Sequence, residues 1–278
     1  MKILLASPVI TSEFDSGIYI LRALSELGHH VRVWDYRLSP HYPPTREDYD
    51  VMIANKGELI PVHLFKPPRV CWYPDVLGRF PEHLGVIRQY DRVFAINKPP
   101  EGCDWATWLP GCYDPLAHRD LRLPKEWDTI YIGTANSKRK VEWVRAIDPQ
   151  VIFGNRWELF GIRAHPPRYS VRFAEAVNRA RIAVNVHESE HGVNRKLYEL
   201  VPCAFTLTDR VRGIEEILGD RLADLVCFDS PREARRLIRH YLKNPEERER
   251  VWAMERKALE PYTYENQVRK ILEAVDVG

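Results

Sequence analysis

Lys196 and Glu199 stand three residues apart in a stretch, Asn194 to Asp209, that opens as a helix, turns at Pro202 and enters an apolar strand ending in Thr208 and Asp209. Residues three or four apart share a helix face, so this ammonium and this carboxylate can meet one ligand. A cation suits a diphosphate and a carboxylate suits ribose hydroxyls, which together amount to a grip on a sugar nucleotide. The plainer account is a surface ion pair between Arg195 or Lys196 and Glu199, worth roughly a few tenths of a kcal/mol on an exposed helix. That account explains the spacing and leaves the polar strand end unexplained. Asn194 before the helix and Thr208 at the strand end are therefore grouped with Lys196 and Glu199 as candidate ligand-binding residues.

Other strand ends carry weaker signals. Gly133-Thr134-Ala135-Asn136-Ser137-Lys138-Arg139-Lys140 joins small residues to three cations, and the loop amides of Gly133 and Thr134 with Arg139 could cradle phosphate. Those cations sit at the positive end of the expected helix, where they cost stability unless an anion visits. His187 follows the strand Ile182 to Val186 and reads as a neutral loop histidine lining a polar cleft. His187 and His191 are four apart but lie on an expected loop, so no metal site is assigned. In the first half, Ser7-Pro8 leads to Asp15-Ser16-Gly17 just before a helix. Gly17 would admit a ligand close to the backbone, and Asp15 is a catalytic candidate or simply a helix cap. No G-x-G-x-x-G fingerprint is present. Asp75, after the strand Val70 to Tyr73, is placed to act as a general base, the alternative being a turn-forming Asp after Pro74.

These loops need a scaffold. Apolar runs at residues 2–7, 30–35, 51–55, 70–73, 92–96 and 107–109 alternate with helical stretches, and the pattern restarts with runs at 129–133, 151–154, 182–186, 204–208 and 225–228. Between the first two runs Ile18, Leu21, Leu24 and Leu27 recur every three residues before Gly28, predicting a helix with a glycine stop. The proline-rich stretch 110–125 reads as the linker. Two such sets predict an α/β chain of two Rossmann-like, doubly wound parallel-sheet domains facing a central cleft. The expected domains are residues 1–122 and 123–278, with carboxyl-terminal helices over the second sheet and the final helix a candidate to return to the first.

Composition narrows the class. The 278 residues carry 41 basic and 39 acidic side chains, a net charge of +2, which indicates no large sequence-independent attraction to nucleic acid. Arg232, Arg235, Arg236, Arg239 and Lys243 do gather on one helix, read here as a solvated face. Five scattered cysteines without a C-x-x-C pair argue against a disulfide framework or zinc knuckle. No apolar stretch approaches a membrane span, and a cytoplasmic setting is expected.

On these residues the sequence resembles a GT-B glycosyltransferase of the spore-maturation-protein (CgeB-like) group. The likeness rests on Lys196-Leu197-Tyr198-Glu199 and Leu207-Thr208-Asp209, on Phe228 to Ala234, Tyr241 to Arg248 and Tyr262-Thr263-Tyr264, and in the first half on Asp91 to Phe94 and Leu109 to Pro115. The resemblance implies transfer of a sugar from a nucleotide-diphosphate donor, UDP-sugar favoured, to a hydroxyl acceptor, without a metal or other cofactor. It places the acceptor on the first domain and the donor on the second. Glu199 would then accept from the ribose, while Lys196 and Arg139 neutralise the leaving diphosphate, whose charge grows in the transition state. His191 stands where many retaining members of the wider fold have a second glutamate, eight positions before Glu199. Two alternatives are a viral glucosyltransferase acting on hydroxymethylated DNA bases and a non-catalytic nucleotide-sugar-binding protein. The acceptor, whether a glycan, a small molecule or modified DNA, is open, as is the oligomeric state.

Overall fold

The computed structural model describes residues 1–9, 16–44, 48–77 and 80–276. Asp15 lies outside the described residues. The chain divides into two compact units, Met1–Cys112 with Tyr262–Gly278, and Tyr113–Pro261.

The first unit is built on six parallel strands, β1 (Lys2–Ala6), β2 (His30–Trp34), β3 (Val51–Asn55), β4 (Arg69–Tyr73), β5 (Arg92–Ala95) and β6 (Ala106–Trp108), ordered β2-β1-β3-β4-β5-β6. Ile3, Leu4, Leu5 and Ala6 are all buried, as are Val51 to Ala54. Such unbroken apolar runs are the mark of strands covered on both faces. Helix α1 (Gly17–Glu26) covers one of them. Its inward side is Tyr19, Ile20, Ala23 and Leu24, while Ile18 is 38% exposed. The three-residue period read from the sequence therefore misplaces the face, because a helix turns every 3.6 residues and its buried stripe follows steps of three and four. Gly28 stops the helix at φ +81°, as expected. Helix α2 (Pro81–Ile87) precedes β5.

The second unit repeats the winding with five parallel strands, β7 (Trp127–Ile132), β8 (Val151–Phe153), β9 (Ala180–Asn185), β10 (Thr206–Asp209) and β11 (Cys227–Phe228), ordered β11-β10-β9-β7-β8. Its helices are α3 (Lys138–Ile147), α4 (Ser170–Asn178), α5 (Arg195–Leu200), α6 (Ile214–Leu218), α7 (Asp220–Val226), α8 (Pro231–Lys243) and α9 (Pro245–Leu259). Helix α8 opens with a side-chain cap: Ser230 Oγ accepts from Glu233 N at 3.3 Å, and Glu233 Oε2 reaches back to accept from Asp229 N at 3.0 Å. Helix α10 (Tyr264–Asp276) then packs on α1 in the first unit.

The units part at residue 112 rather than at 122. Prolines break the hydrophobic period of 113–122 without freeing the segment, since Asn178 Nδ2 donates to Arg119 O at 2.9 Å and Asn178 Oδ1 accepts from Leu121 N at 2.6 Å. Leu121 also packs on the apolar core beneath β7 and α4. No helix among the described residues is long and apolar enough to cross a membrane.

Candidate functional site

In a doubly wound sheet, ligands settle beyond the carboxyl ends of the strands where the winding reverses. In the second unit that point lies between β7 and β9. The loop after β7 leads into α3, capped by Ser137 Oγ, which accepts from Lys140 N at 3.2 Å. The loop after β9 carries His187 and Glu188, and the neighbouring β10 ends in Asp209.

Asp209 is fully buried and organises this edge. Its Oδ1 accepts from His187 N at 2.9 Å and lies 2.5 Å from His187 Nδ1, and its Oδ2 accepts from Arg139 Nη1 at 2.6 Å. Burial disfavours the charged carboxyl, yet the His187 imidazole and the Arg139 guanidinium hold Asp209 below the ordinary carboxylate range. Arg139 also donates to His187 O at 2.9 Å and lies 4.1 Å from the Trp143 ring centroid. Beside this group Asn136 Nδ2 donates to Glu188 Oε1, and Lys140 Nζ donates to Asn136 Oδ1 at 2.8 Å.

A second carboxylate lies one helix away. Asn194 caps α5, accepting from Leu197 N at 3.2 Å, and the first turn of the helix presents Arg195 and Lys196. Glu199 is 3% exposed, with Oε1 at 2.8 Å from Arg195 Nε and Oε2 at 2.7 Å from Lys196 Nζ. Desolvation alone would raise this carboxyl; Lys196, Arg195 and His118 overcome it and bring its pKa to about 2. Each carboxylate oxygen has two lone pairs, so accepting one cation apiece leaves room for a hydroxyl donor. Lys196 Nζ also sits 4.3 Å from the Phe173 ring centroid. Both cations stay partly open to solvent, Arg195 at 29% and Lys196 at 28%. A buried anion beneath two accessible cations can meet a diphosphate and the sugar hydroxyls beside it.

The two groups are joined through neutral side chains. Asn185 Nδ2 donates to Thr208 Oγ1 at 3.1 Å and to Asn194 Oδ1 at 3.2 Å, while Asn194 Nδ2 donates to Asn185 Oδ1 at 3.2 Å. The structure thus brings Arg139, His187, Asn194, Lys196, Glu199 and Thr208 to one edge of one sheet.

Several roles differ from those read in the sequence. Arg139 is engaged with Asp209, so its charge is already answered inside the protein. His187 is 1% exposed and belongs to that buried group instead of lining a cleft. Around Gly133 the loop is closed by its own chain: a Cβ there would lie 2.8 Å from Tyr131 Oη, and Gly133 O accepts from Trp157 Nε1 at 2.7 Å. Gly133 N donates to Phe153 O at 2.9 Å, so this amide of the expected cradle is engaged within the chain, as are the neighbouring Ala135 N and Asn136 N, which donate to Asn155 O and Thr134 O. Gly17 is also filled from within, since a Cβ on it would fall 2.3 Å from Ser7 Oγ and 2.8 Å from Pro8 O. Its small size serves packing against the β1 loop. Asp75 is half-buried in the loop after β4, in the first unit.

The sequence reading missed His118, which sits in the supposed linker. It is 2% exposed, meets Phe173 edge-on with ring centroids 5.7 Å apart, and accepts from Asp114 N through Nδ1 at 3.3 Å. Burial pushes its pKa down to about 4, against the pull of Glu199, so the ring is neutral at pH 7. A histidine in a proline-rich stretch without periodicity offers no signal of this place. Asp209 carried one, as a charged residue closing an otherwise apolar strand.

Residues 138–273 match the family model described as glycosyl transferase-like. The sequence matches no protein of curated function. Among solved structures, the fold is similar to T4 phage β-glucosyltransferase in complex with UDP and Mn2+, with 13% identity, 99% of this chain and 100% of that chain covered and a TM-score of 0.71. Sucrose-phosphate synthase from Thermosynechococcus elongatus gives 12% identity, 99% and 98% coverage and 0.70. An α-glucosyltransferase in complex with UDP-glucose and DNA containing an abasic site gives 11% identity, 99% and 98% coverage and 0.66. At such identities the likeness establishes the fold. The expectation of a reaction without metal or cofactor is corrected by the first of these structures, which is in complex with both UDP and Mn2+. Among the described residues no group of three or more His, Cys, Asp or Glu side chains is gathered to hold a metal ion, so this chain has no ready cage for one there. Residues 138–273 thus form a glycosyl transferase-like segment, and the two parallel-sheet domains that contain it share the GT-B fold of these enzymes along nearly the whole chain.

Proposed function

We propose that the protein transfers a sugar from a UDP-sugar to a hydroxyl acceptor, with the donor held by the second unit and the acceptor by the first. The observation that carries this reading is the buried Glu199 carboxylate, kept ionised beneath the accessible Arg195 and Lys196 within the segment that matches the glycosyl transferase-like family. Glu199 accepts hydrogen bonds from the ribose, and Lys196 and Arg195 face the diphosphate. Stabilising the charge that develops on the leaving UDP is their contribution to the rate. Asp209, His187 and Arg139 hold the strand-end loops in place around them. Asp75 serves as the general base toward the acceptor. Solved neighbours of this fold hold UDP or UDP-glucose, which supports the choice of donor. The motif around Lys196 to Glu199 further supports a place in the spore-maturation-protein group, and five buried free cysteines suit a cytoplasmic setting.

Calorimetric titration with UDP and with inorganic pyrophosphate tests the division of labour. Lys196→Ala is expected to weaken both by about ten- to a hundredfold, the range for losing a hydrogen bond to a charged group. Glu199→Gln is expected to weaken UDP and spare pyrophosphate, which has no ribose. Unchanged UDP affinity in both variants would overturn the assignment.

A second reading of the acceptor draws on the neighbours: one is described as a DNA modifying enzyme and another was solved with DNA. A hydroxymethylated base in DNA would then receive the sugar. Release of UDP from UDP-glucose in the presence of hydroxymethylated duplex, and its absence with plain duplex, distinguishes this acceptor from a glycan or small molecule.

A further inference from the structure

Arg232, Arg235, Arg236, Arg239 and Lys243 are all exposed on α8. Arg232, Arg235, Arg239 and Lys243 follow one another at steps of three or four residues, which places them on one face with Arg236 beside them, a stripe about 16 Å long at about 1.5 Å of rise per residue. Arg236 is paired with Glu233 at 2.9 Å. The side chains of Arg232, Arg235, Arg239 and Lys243 have no hydrogen bond or ion pair among the described residues, whereas the exposed cations Arg269 and Lys138 each face a carboxylate one turn away. Like charges at these spacings destabilise a helix, and Arg232 and Arg235 also crowd its positive end. The arrangement is unfavourable for the isolated chain and favourable once an extended anion lies along it.

The stripe has a definite origin. Helix α8 follows β11, so Arg232 stands at the carboxyl edge of the second sheet, the edge that also carries Asp209 and Glu199, and the later cations run away from it. No large apolar side chain is exposed on α8 or on the following α9. A helix that lies on a membrane needs such an apolar face. Four of the five cations are arginines, whose planar forks engage phosphate with two hydrogen bonds.

We propose that the α8 stripe is a docking surface for the phosphate backbone of nucleic acid. The near-neutral charge of the whole chain is compatible with this, because the cations are concentrated on one helix. The inference goes beyond the donor site and does not depend on it.

The test is fluorescence anisotropy of a labelled, unmodified DNA duplex with the full chain, titrated from 50 to 200 mM salt. Engagement of four phosphates gives a slope near −3.6 in log K against log salt, so affinity should fall by about a hundredfold across that range. The variant Arg232→Gln/Arg235→Gln/Arg239→Gln/Lys243→Gln should bind at least tenfold more weakly at low salt and lose most of the slope. A control that removes four charges elsewhere, at Arg92, Arg250, Lys257 and Lys270, should keep the slope. The proposal is overturned if both variants lose binding equally, if the wild-type chain shows no salt-dependent binding, or if it prefers phosphatidylserine vesicles to duplex. Calorimetry with UDP on the stripe variant separates the two readings: UDP affinity should be unchanged there, and wild-type chain that fails to bind UDP counts against the donor site alone. Relief of like-charge repulsion should leave the stripe variant at least as heat-resistant as the parent. If it does not fold, Arg235→Gln/Arg239→Gln carries the same test, with about half the slope expected to vanish.

Discussion

The two sheets share one winding order, yet their carboxyl edges are chemically unlike. At the first, the switch point between β1 and β3 is closed by neutral side chains: Asn55 Nδ2 donates to Ser7 Oγ at 3.0 Å and Ser16 Oγ donates to Asn55 Oδ1 at 3.4 Å, all three buried. At the second, the same topological place is filled by Asp209, Glu199, Glu188 and four cations at short range. A sheet of given winding offers a place for a ligand, and the residues after its strands decide the ligand's charge. Among the described residues, charge is gathered at the second switch point and neutral hydrogen bonds at the first.

The largest effect is expected at the centre of the charged edge. Asp209→Ala leaves Arg139 and His187 without their carboxylate and should cost about 3–5 kcal/mol in denaturant unfolding, the range for removing one partner of a buried pair. A loss under 1 kcal/mol would show that the edge is not organised around Asp209.

Next comes acid. Glu199 has a pKa of about 2 in the folded chain against an ordinary value of 4.5. A carboxyl whose folded pKa is depressed contributes stability that is complete above the unfolded value and disappears as pH falls through the folded one. This one group should therefore add about 3 kcal/mol above pH 5, lost progressively between about pH 5 and pH 2. Glu255, buried under β10 with Oε2 accepting from Thr206 N at 3.1 Å, is the opposite case, its carboxyl raised well above the usual range by burial. Its contribution is complete below pH 4.5 and is lost as pH rises. Glu199→Gln should flatten the acid limb of a stability–pH curve, and Glu255→Gln should raise stability on the alkaline side. A reversal of either sign would dissolve the distinction between the two glutamates.

At the neutral edge the expected effect is smaller. Gly17→Ala places a methyl group against Ser7 Oγ and Pro8 O and should destabilise by about 1–3 kcal/mol through overpacking, with UDP affinity unchanged by calorimetry. Weakened UDP binding would show that the first edge, too, meets the nucleotide.

The strands were legible because buried parallel strands are continuous apolar runs, and those are visible in Ile3 to Ala6 or Ile182 to Val184 without any partner. Lys196 and Glu199 were legible as a pair because helical spacing alone brings them together. Hidden from the sequence was the setting of that pair: Lys196 lies against the Phe173 ring and His118 acts on the Glu199 carboxyl, both from elements far away in the chain. The same holds for Arg139. Its position after a strand suggests phosphate, while the carboxylate that claims it lies 70 residues later at the end of β10. Glycines misled for a related reason, because Gly17 and Gly133 make room for their own chain and a sequence does not say who fills the space.

The return of α10 to the first unit has a consequence for how the protein is made. Tyr264 stacks against Tyr19 and Trp72 with ring centroids 5.3 and 5.9 Å away, and Gln267 Nε2 donates to Pro110 O at 2.8 Å. On a translating ribosome every strand of the first sheet emerges before Tyr113, but the helix that seals α1 emerges only after Pro261. The half begun first is completed last, and the flank of α1 that α10 covers stays bare until the tail arrives.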